Sequence, residues 1–292
     1  MTMHEAIKQM LIPYKCVTPE DYKNAFKEII QEIALLGLAR HGFFDHAAFY
    51  GGTALRIAHG LNRFSEDLDF TLLKSDPNFS LKTFLKGIQD ELVVYDLKLI
   101  VEIKEKVEES DVESAFLKAN TIEILLSIEG WEKQKIPLNK NDSIKIKLEI
   151  DRNPPIPSGN TETKFLTLPI NFSYKVLNLS SLFAGKIHAV LCRKYRSGRV
   201  KGRDHYDFIW YINKGIMPDM DYLKAKLVQT GHWDQNQNLT LEELKKNLEK
   251  KFSEIDWEEA KKDVLPFIKD RFELNVWSKG FFLQKMDGWS RL

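Results

Sequence analysis

The sequence predicts an α/β (α+β) protein in which strands and helices intersperse through the first half and helices dominate the second. Three observations predict this. Apolar residues recur at three- and four-residue steps between Tyr22 and Leu36, as on one face of a helix. Period-two alternation follows at Leu68-Phe70-Leu72, Leu97-Leu99-Val101-Ile103 and Ile144-Ile146-Leu148-Ile150, as along strands. From Ser180 onward the pattern is mainly helical. At 292 residues the chain can bury roughly three-quarters of its unfolded surface, enough for one large or two modest domains.

Pro19-Glu20-Asp21 opens the first long helix, which carries Tyr22, Phe26, Ile29, Ile30, Ile33 and Leu36, ends near Gly37 to Gly42 and is expected to pack on the sheet. Ala47 to Tyr50 reads as a strand, Gly51-Gly52 as a turn, and Ala54 to His59 as a helix that Gly60 closes as its C′ residue. The next strand puts Leu68, Phe70 and Leu72 on one face and Asp67, Asp69 and Thr71 on the other. Ser80 is expected to N-cap a helix over Leu81 to Ile88. Thr121 to Ile128 and Ile144 to Ile150 read as two further strands. Pro154-Pro155-Ile156-Pro157-Ser158-Gly159-Asn160 is the clearest punctuation in the chain, so the domain boundary is placed after it, dividing residues 1–160 from 161–292. Leu166 to Leu177 adds one or two edge strands. Helices follow from Ser181, through Phe208 to Ile212 and from Thr240 to Leu248, with Trp257, Phe267, Phe272 and Trp277 expected on core faces. Phe281, Phe282, Leu283 and Trp289 are read first as packing residues. No internal repeat or low-complexity tract is evident.

The chemistry concentrates where a glycine turn precedes two carboxylates one residue apart. The segments are Tyr50-Gly51-Gly52-Thr53-Ala54-Leu55-Arg56 and Arg63-Phe64-Ser65-Glu66-Asp67-Leu68-Asp69-Phe70. A strand, glycine turn and helix in that order let backbone N–H groups approach a phosphate with no Cβ in the way, and the helix N-terminus adds about half a positive charge. Thr53 fits either as an N-cap or as a hydroxyl donor to phosphate, and Arg56 is a further nucleotide-binding candidate. Asp67 and Asp69, roughly 6.6 Å apart on one strand face, would repel by about 2.5 kcal/mol at an effective dielectric near 20. A cation removes that conflict, and Mg²⁺ suits carboxylate oxygens combined with substrate phosphates. The other reading is a solvated edge on which the two aspartates pair with Arg56, Arg63 or Lys74.

These segments resemble those of the AbiEii-type nucleotidyltransferase toxins of bacterial abortive-infection and toxin–antitoxin systems, members of the DNA polymerase β-like nucleotidyltransferase superfamily. The resemblance runs from about Phe49 to Trp210. It implies a mixed sheet flanked by helices with a mainly helical C-terminal domain. It further implies that Gly51, Gly52 and Thr53 seat a nucleoside triphosphate while Asp67 and Asp69 coordinate Mg²⁺. The family's lysine-bearing helix and its Lys/Arg-Asp-x-x-Asp segment are similar to Ala184-Gly185-Lys186-Ile187-His188-Ala189 and Lys201-Gly202-Arg203-Asp204-His205-Tyr206-Asp207.

A polymerase β-like site uses a third carboxylate from a neighbouring strand to bind metal and activate the attacking hydroxyl. Glu149 is preferred over Asp151, which lies at the strand end before Arg152-Asn153-Pro154-Pro155, where it would cap a turn. Lys186 would place a compact charge on phosphoryl oxygens, and it shares a helix face with Arg193. Asp204 and Asp207 share a face of the next helix, so one of them can orient Lys186. Resemblance makes Asp204 the candidate for an essential acid, which spacing alone does not separate from Asp207. Arg193, Lys194, Arg196, Arg199, Lys201 and Arg203, with Tyr195 and Tyr206 interleaved, suit an RNA backbone with stacked bases, or a solvated helix end. His188 and His205 receive no role.

Lys and Arg number 43 against 42 Asp and Glu, so no global field draws the protein to nucleic acid and any RNA contact needs a local patch. Two distant cysteines, Cys16 and Cys192, exclude a disulfide scaffold and offer no zinc spacing. No signal-peptide h-region or membrane-length apolar run is visible, so a cytoplasmic location without membrane contact is expected. By resemblance the protein is an NTP-dependent, pyrophosphate-releasing toxin. Its expected acceptor is an RNA end, that of tRNA, and its expected partner an antitoxin. The alternatives are transfer to a small molecule or a protein side chain, or a noncatalytic RNA- or partner-binding module on the same scaffold.

Overall fold

A computed structural model describes residues 5–97, 99–104, 112–120, 143–193 and 200–289. The strand expected at 121–128 lies outside the described residues. Helices are α1 (Glu5–Leu11), α2 (Pro19–Arg40), α3 (Gly51–His59), α4 (Lys82–Val94), α5 (Leu179–Cys192), α6 (Gly202–Asn213), α7 (Met220–Gln229), α8 (Leu241–Ser253), α9 (Trp257–Val264) and α10 (Lys279–Gly288). Strands are β1 (Ala47–Tyr50), β2 (Leu68–Leu72), β3 (Ile100–Lys104), β4 (Val112–Asn120), β5 (Ser143–Asp151), β6 (Thr161–Leu166) and β7 (Phe172–Leu177).

The chain forms two compact units that interleave along the sequence. The first comprises Met1–Ala54, Ser65–Pro154 and Glu162–Val176; the second comprises Leu55–Phe64, Pro155–Thr161 and Leu177–Leu292. The expected division at 160/161 falls inside Pro155–Thr161, a segment of the second unit; Glu162–Val176 returns to the first unit, and Leu55–Phe64 belongs with the second. Hydrogen-bonded strands recruit distant segments, which a linear reading of punctuation does not register.

The first unit is built on a seven-stranded sheet of order β3-β4-β5-β2-β1-β7-β6. The sheet is mixed: β1 pairs antiparallel with β2 and parallel with β7, β2 runs parallel to β5, and β4 is antiparallel to both β3 and β5. Period-two alternation is realised in β5, where Ile144, Ile146, Leu148 and Ile150 are all fully buried. Helix α2 begins with a capping box in which the Thr18 side chain accepts from Asp21 N–H and Asp21 answers to the Thr18 backbone. Its glycine is a packing residue: a Cβ on Gly37 would fall 2.6 Å from the Gly87 carbonyl oxygen of α4, so the two helices meet at backbone distance. Between these layers Phe43, Phe49, Phe70, Phe84 and Tyr174 form an aromatic core with predominantly edge-on contacts.

Ser80 does not cap α4. The helix starts at Lys82, and the residues just before it are held from a neighbouring strand: Glu113 of β4 accepts from Leu81 N–H at 2.7 Å and from the Ser80 hydroxyl at 3.4 Å. A carboxylate arriving at the positive helix end outcompetes the local hydroxyl.

The second unit is helical. Asn178 caps α5 by accepting from Ser181 N–H, and Thr240 with Glu243 forms a capping box on α8. Its core stacks Phe183 on Tyr211 at 4.4 Å and Trp257 on Phe282 at 4.3 Å, with Phe208, Phe252 and Trp289 also buried. Phe272, expected on a core face, is 81% exposed. It sits in a short 3₁₀ turn, Arg271–Leu274, whose buried residue is Leu274. Neither Cys16 nor Cys192 is joined in a disulfide, and among the described residues no helix is long and apolar enough to cross a membrane.

Candidate active site

In the first unit, β1 ends at Tyr50 and the chain turns at once into α3 through Gly51, whose φ is +83°. A Cβ at Gly51 would lie 2.5 Å from Asp69 Oδ2, far inside contact distance. The Asp69 carboxylate thus occupies the space that any other residue would fill with its own side chain. The turn and the acid pair, 18 residues apart in number, are in contact.

Thr53 is not the N-cap of α3. The helix has already begun at Gly51, and the Thr53 hydroxyl, 1% exposed, donates to the Asp67 carbonyl oxygen. It therefore ties the start of α3 to the backbone of the acid pair. Asp67 is exposed just before β2, and Asp69 is half-buried within it.

Strand register builds a polar row across the sheet. Tyr50 lies opposite Asp69, Asp69 beside Glu149, and Glu149 opposite Ser114. Adjacent strands are about 4.8 Å apart, so Asp69 and Glu149 stand one strand spacing from each other on the same face. Glu149 Oε1 meets Lys147 Nζ at 2.6 Å and accepts from the Ser114 hydroxyl at 3.3 Å. Asp151 accepts from Asn153 N–H at 3.0 Å, the turn geometry that its place at the strand end suggests.

The segment leading into Asp67 is held from α2 by residues that a search for apolar periodicity passes over. Lys27 Nζ donates to Glu66 Oε1 at 2.8 Å, and Gln31 Nε2 donates to the carbonyls of Ser65 and Glu66 at 3.2 and 2.9 Å. Both side chains are buried. The available signal is two long polar residues one turn apart, at positions i and i+4 of the helix.

This donor set fits a particular kind of cation. Among the described residues no three His, Cys, Asp or Glu side chains are arranged to hold a metal ion, so a closed site with Glu149 as a ready third ligand is not preformed. Mg²⁺ is usually retained by one or two carboxylates plus waters and substrate phosphates. Asp67 and Asp69 beside the glycine turn suit that mode, and the space at Gly51 filled by Asp69 Oδ2 ties one carboxylate to the start of α3.

Arg56, Lys186 and Asp204 belong to the second unit. Arg56 Nη1 donates to the Leu61 carbonyl at 2.8 Å, and its guanidinium lies 4.5 Å from the Phe64 ring centre. Arg63 does not pair with the acid pair. It forms a bidentate bridge to Asp207, with Nε to Oδ1 and Nη2 to Oδ2 both at 2.6 Å and side-chain exposures of 3% and 0%. Lys186 Nζ, 12% exposed, sits 2.7 Å from Asp204 Oδ1 and 2.8 Å from Asp207 Oδ2. Arg193 Nη1 lies 2.8 Å from Asp204 Oδ2, a charge contact without hydrogen-bond alignment. Both aspartates of α6 therefore face Lys186.

These contacts decide the charge states. Burial alone would lower the Lys186 pKa, but Asp204 and Asp207 outweigh it and raise the value, so the ammonium is retained. Burial alone would raise Asp204, but Lys186 and Arg193 bring it down to about 2. For Arg63, too, the attraction of Asp207 overcomes burial. His205, packed edge-on against Trp257 and Phe282, is pushed by burial down to about 4 and is neutral near pH 7.

Of the expected basic stretch, residues 194–199 lie outside the described residues. Arg203 Nε contacts Asp263 at 3.4 Å and its guanidinium covers Phe267, and the Tyr206 hydroxyl donates to Glu273 at 2.9 Å.

The profile of the family described as "Nucleotidyl transferase AbiEii toxin, Type IV TA system" matches residues 33–284. No curated protein matches the chain. Among solved structures the chain is similar to MenT4, a nucleotidyltransferase toxin from Mycobacterium tuberculosis H37Rv, with a TM-score of 0.56 and 14% identity over 98% of this chain and 89% of that one. It is also similar to JHP933 from Helicobacter pylori, with a TM-score of 0.46 and 18% identity over 92% of this chain and 95% of that one. At such identities the MenT4 likeness bears on the fold alone.

Proposed function

The chain belongs to the AbiEii nucleotidyl transferase toxin family of type IV toxin–antitoxin systems, and on that premise we propose that it transfers a nucleoside monophosphate from an NTP to the 3′ hydroxyl of an RNA, that of tRNA in particular. Such a modification halts translation, and an antitoxin counters it. The observation that carries this reading is the Asp69 carboxylate lying against Gly51 at the start of α3.

Backbone N–H groups of the first turn of α3 face no intrahelical acceptor and are suited to phosphate oxygens. Asp67 and Asp69 would hold Mg²⁺, which when bound supplies charge compensation to the phosphates and to the attacking oxygen. The acceptor oxygen forms the new bond to the α-phosphorus, its proton passes to a carboxylate, for which Glu149 is the candidate, and pyrophosphate departs with the electron pair of the broken bond. Lys186, kept charged by Asp204 and Asp207, offsets charge on phosphoryl oxygens as pyrophosphate leaves. Asp204 acts as its positioning residue. The contributions of Lys186, Asp204 and Arg56 rest on the family resemblance.

The test is transfer of label from each of the four α-labelled NTPs, with Mg²⁺ present, into total RNA, with small-molecule acceptors and the protein itself as parallel acceptors. Label is expected in RNA of tRNA size with release of pyrophosphate. Label confined to small molecules or to protein would overturn the RNA acceptor, and no label in any fraction would leave the noncatalytic module.

Gly51→Ala is expected to cut transfer about 100-fold, the effect of shifting a reacting group by about 1 Å, and to cost about 1–2 kcal/mol for a left-handed backbone. Native turnover in this variant, measured alongside its thermal melt, would show that contact between carboxylate and turn is dispensable.

A further inference from the structure

The aromatic residues of the C-terminal helix do more than fill a core. Phe282 is fully buried, but Phe281 and Lys285 of α10 form one side of an open cleft, with a volume of about 340 Å³, whose other walls include Trp210, Asn213, Trp277 and Asn62. All of these residues lie in the second unit.

The lining combines three kinds of group. Trp210 and Phe281 offer π surface, with the buried Trp277 behind them. Asn62 and Asn213 are exposed amides able to both donate and accept. Two ammonium groups stand beside the aromatic rings: Lys285 Nζ is 5.7 Å from the Phe281 ring centre and 3.0 Å from Asn213 Oδ1, while Lys214 Nζ is 5.7 Å from the Trp210 ring centre. The carboxylate in the wall, Glu273, accepts the Tyr206 hydroxyl.

Stacking rings, amide edges and cations at the rim form the combination that single-stranded nucleic acid uses: base on ring, base edge on amide, phosphate on ammonium. The volume lies at the small end of ligand pockets, about 300–1,000 Å³, and suits one nucleotide rather than a folded partner. The cleft has no glycine turn and no pair of carboxylates, and one lysine in its lining matches a single phosphodiester rather than a triphosphate. We infer that this cleft binds one unstacked nucleotide of the RNA acceptor, away from the nucleotide whose hydroxyl reacts. The inference rests on the reading that RNA is the acceptor.

The full chain, without NTP, is titrated with a single-stranded RNA hexamer while tryptophan fluorescence is followed. Saturable quenching is expected, weakening as salt rises. Phe281→Ala and Lys285→Glu should each weaken binding at least tenfold. Trp210→Phe should reduce the quenching amplitude but keep the affinity, because a ring remains. Lys285→Gln, with far-UV circular dichroism on every variant, separates loss of contact from loss of fold. In the transfer assay the Lys285 variants should raise KM for RNA and leave kcat and KM for NTP unchanged. Transfer to RNA with native KM and native quenching in both Phe281 and Lys285 variants would overturn the cleft while the function stands. Quenching that responds to these variants in a protein that transfers nothing to RNA would keep the cleft and remove the function. Quenching by an apolar peptide but not by RNA would also overturn the inference.

Discussion

Asp69→Asn is expected to reduce nucleotide transfer by about a thousandfold, the scale on which a positioned electrostatic group acts in a transition state, and to abolish growth arrest on expression. The substitution keeps the volume of the side chain and its place against Gly51, and removes the charge that would hold a cation. Stability should move the other way. Asp69 stands in register with Glu149 on the neighbouring strand and two residues from Asp67, so neutralising it relieves like-charge repulsion. Without divalent cations the variant should melt at or above the temperature of the native protein. Added Mg²⁺ should raise the native melting temperature and leave that of the variant unchanged, since only a bound ligand stabilises the folded state. A variant that still arrests growth or transfers nucleotide at the native rate would end the catalytic reading. A large fall in its melting temperature would instead make Asp69 a structural residue.

Asp207→Ala is expected to destabilise the helical unit by about 3–5 kcal/mol, because Arg63 would keep its charge in a buried site and lose both hydrogen bonds. Lys186 would retain Asp204. Replacing both members of the bridge, with Arg63→Met and Asp207→Leu, should recover much of the loss, because the desolvation penalty disappears together with the attraction. Urea denaturation followed by tryptophan fluorescence reads chiefly this unit, which contains Trp210, Trp233, Trp257, Trp277 and Trp289, five of the six tryptophans. A loss below about 1 kcal/mol, the range of exposed ion pairs, would show that the bridge is not desolvated as its burial indicates. An equal loss in the double variant would trace the effect to packing volume and not to charge.

The readings that held depend on near neighbours in the chain. Helix α2 was legible because a proline and an apolar stripe fall within one segment, and it runs from Pro19 to Arg40. The buried face of β5 followed from alternation alone. The glycine turn and the acid pair were visible as residue types, but the contact between Gly51 and Asp69 was not. Long-range partners could not be read this way: Glu113 took the place at α4 expected for Ser80, and Arg63, offered to Asp67 and Asp69 only in the alternative reading, bridges Asp207. Lys27 and Gln31 went unread because a polar residue on a helix looks solvated until the loop it holds is packed against it.

The sequence by itself determined the kinds of element, their polar and apolar faces, and the presence of a glycine turn shortly before two carboxylates, at Gly51, Asp67 and Asp69, because steric preference and periodicity act over a few residues. The tertiary structure decided that β5 lies beside β2, that the Asp69 carboxylate fills the space at Gly51, and that Lys186 is shared by two aspartates. Those outcomes depend on strand order and on which charges lose water together. Both are settled only when all the elements pack at once.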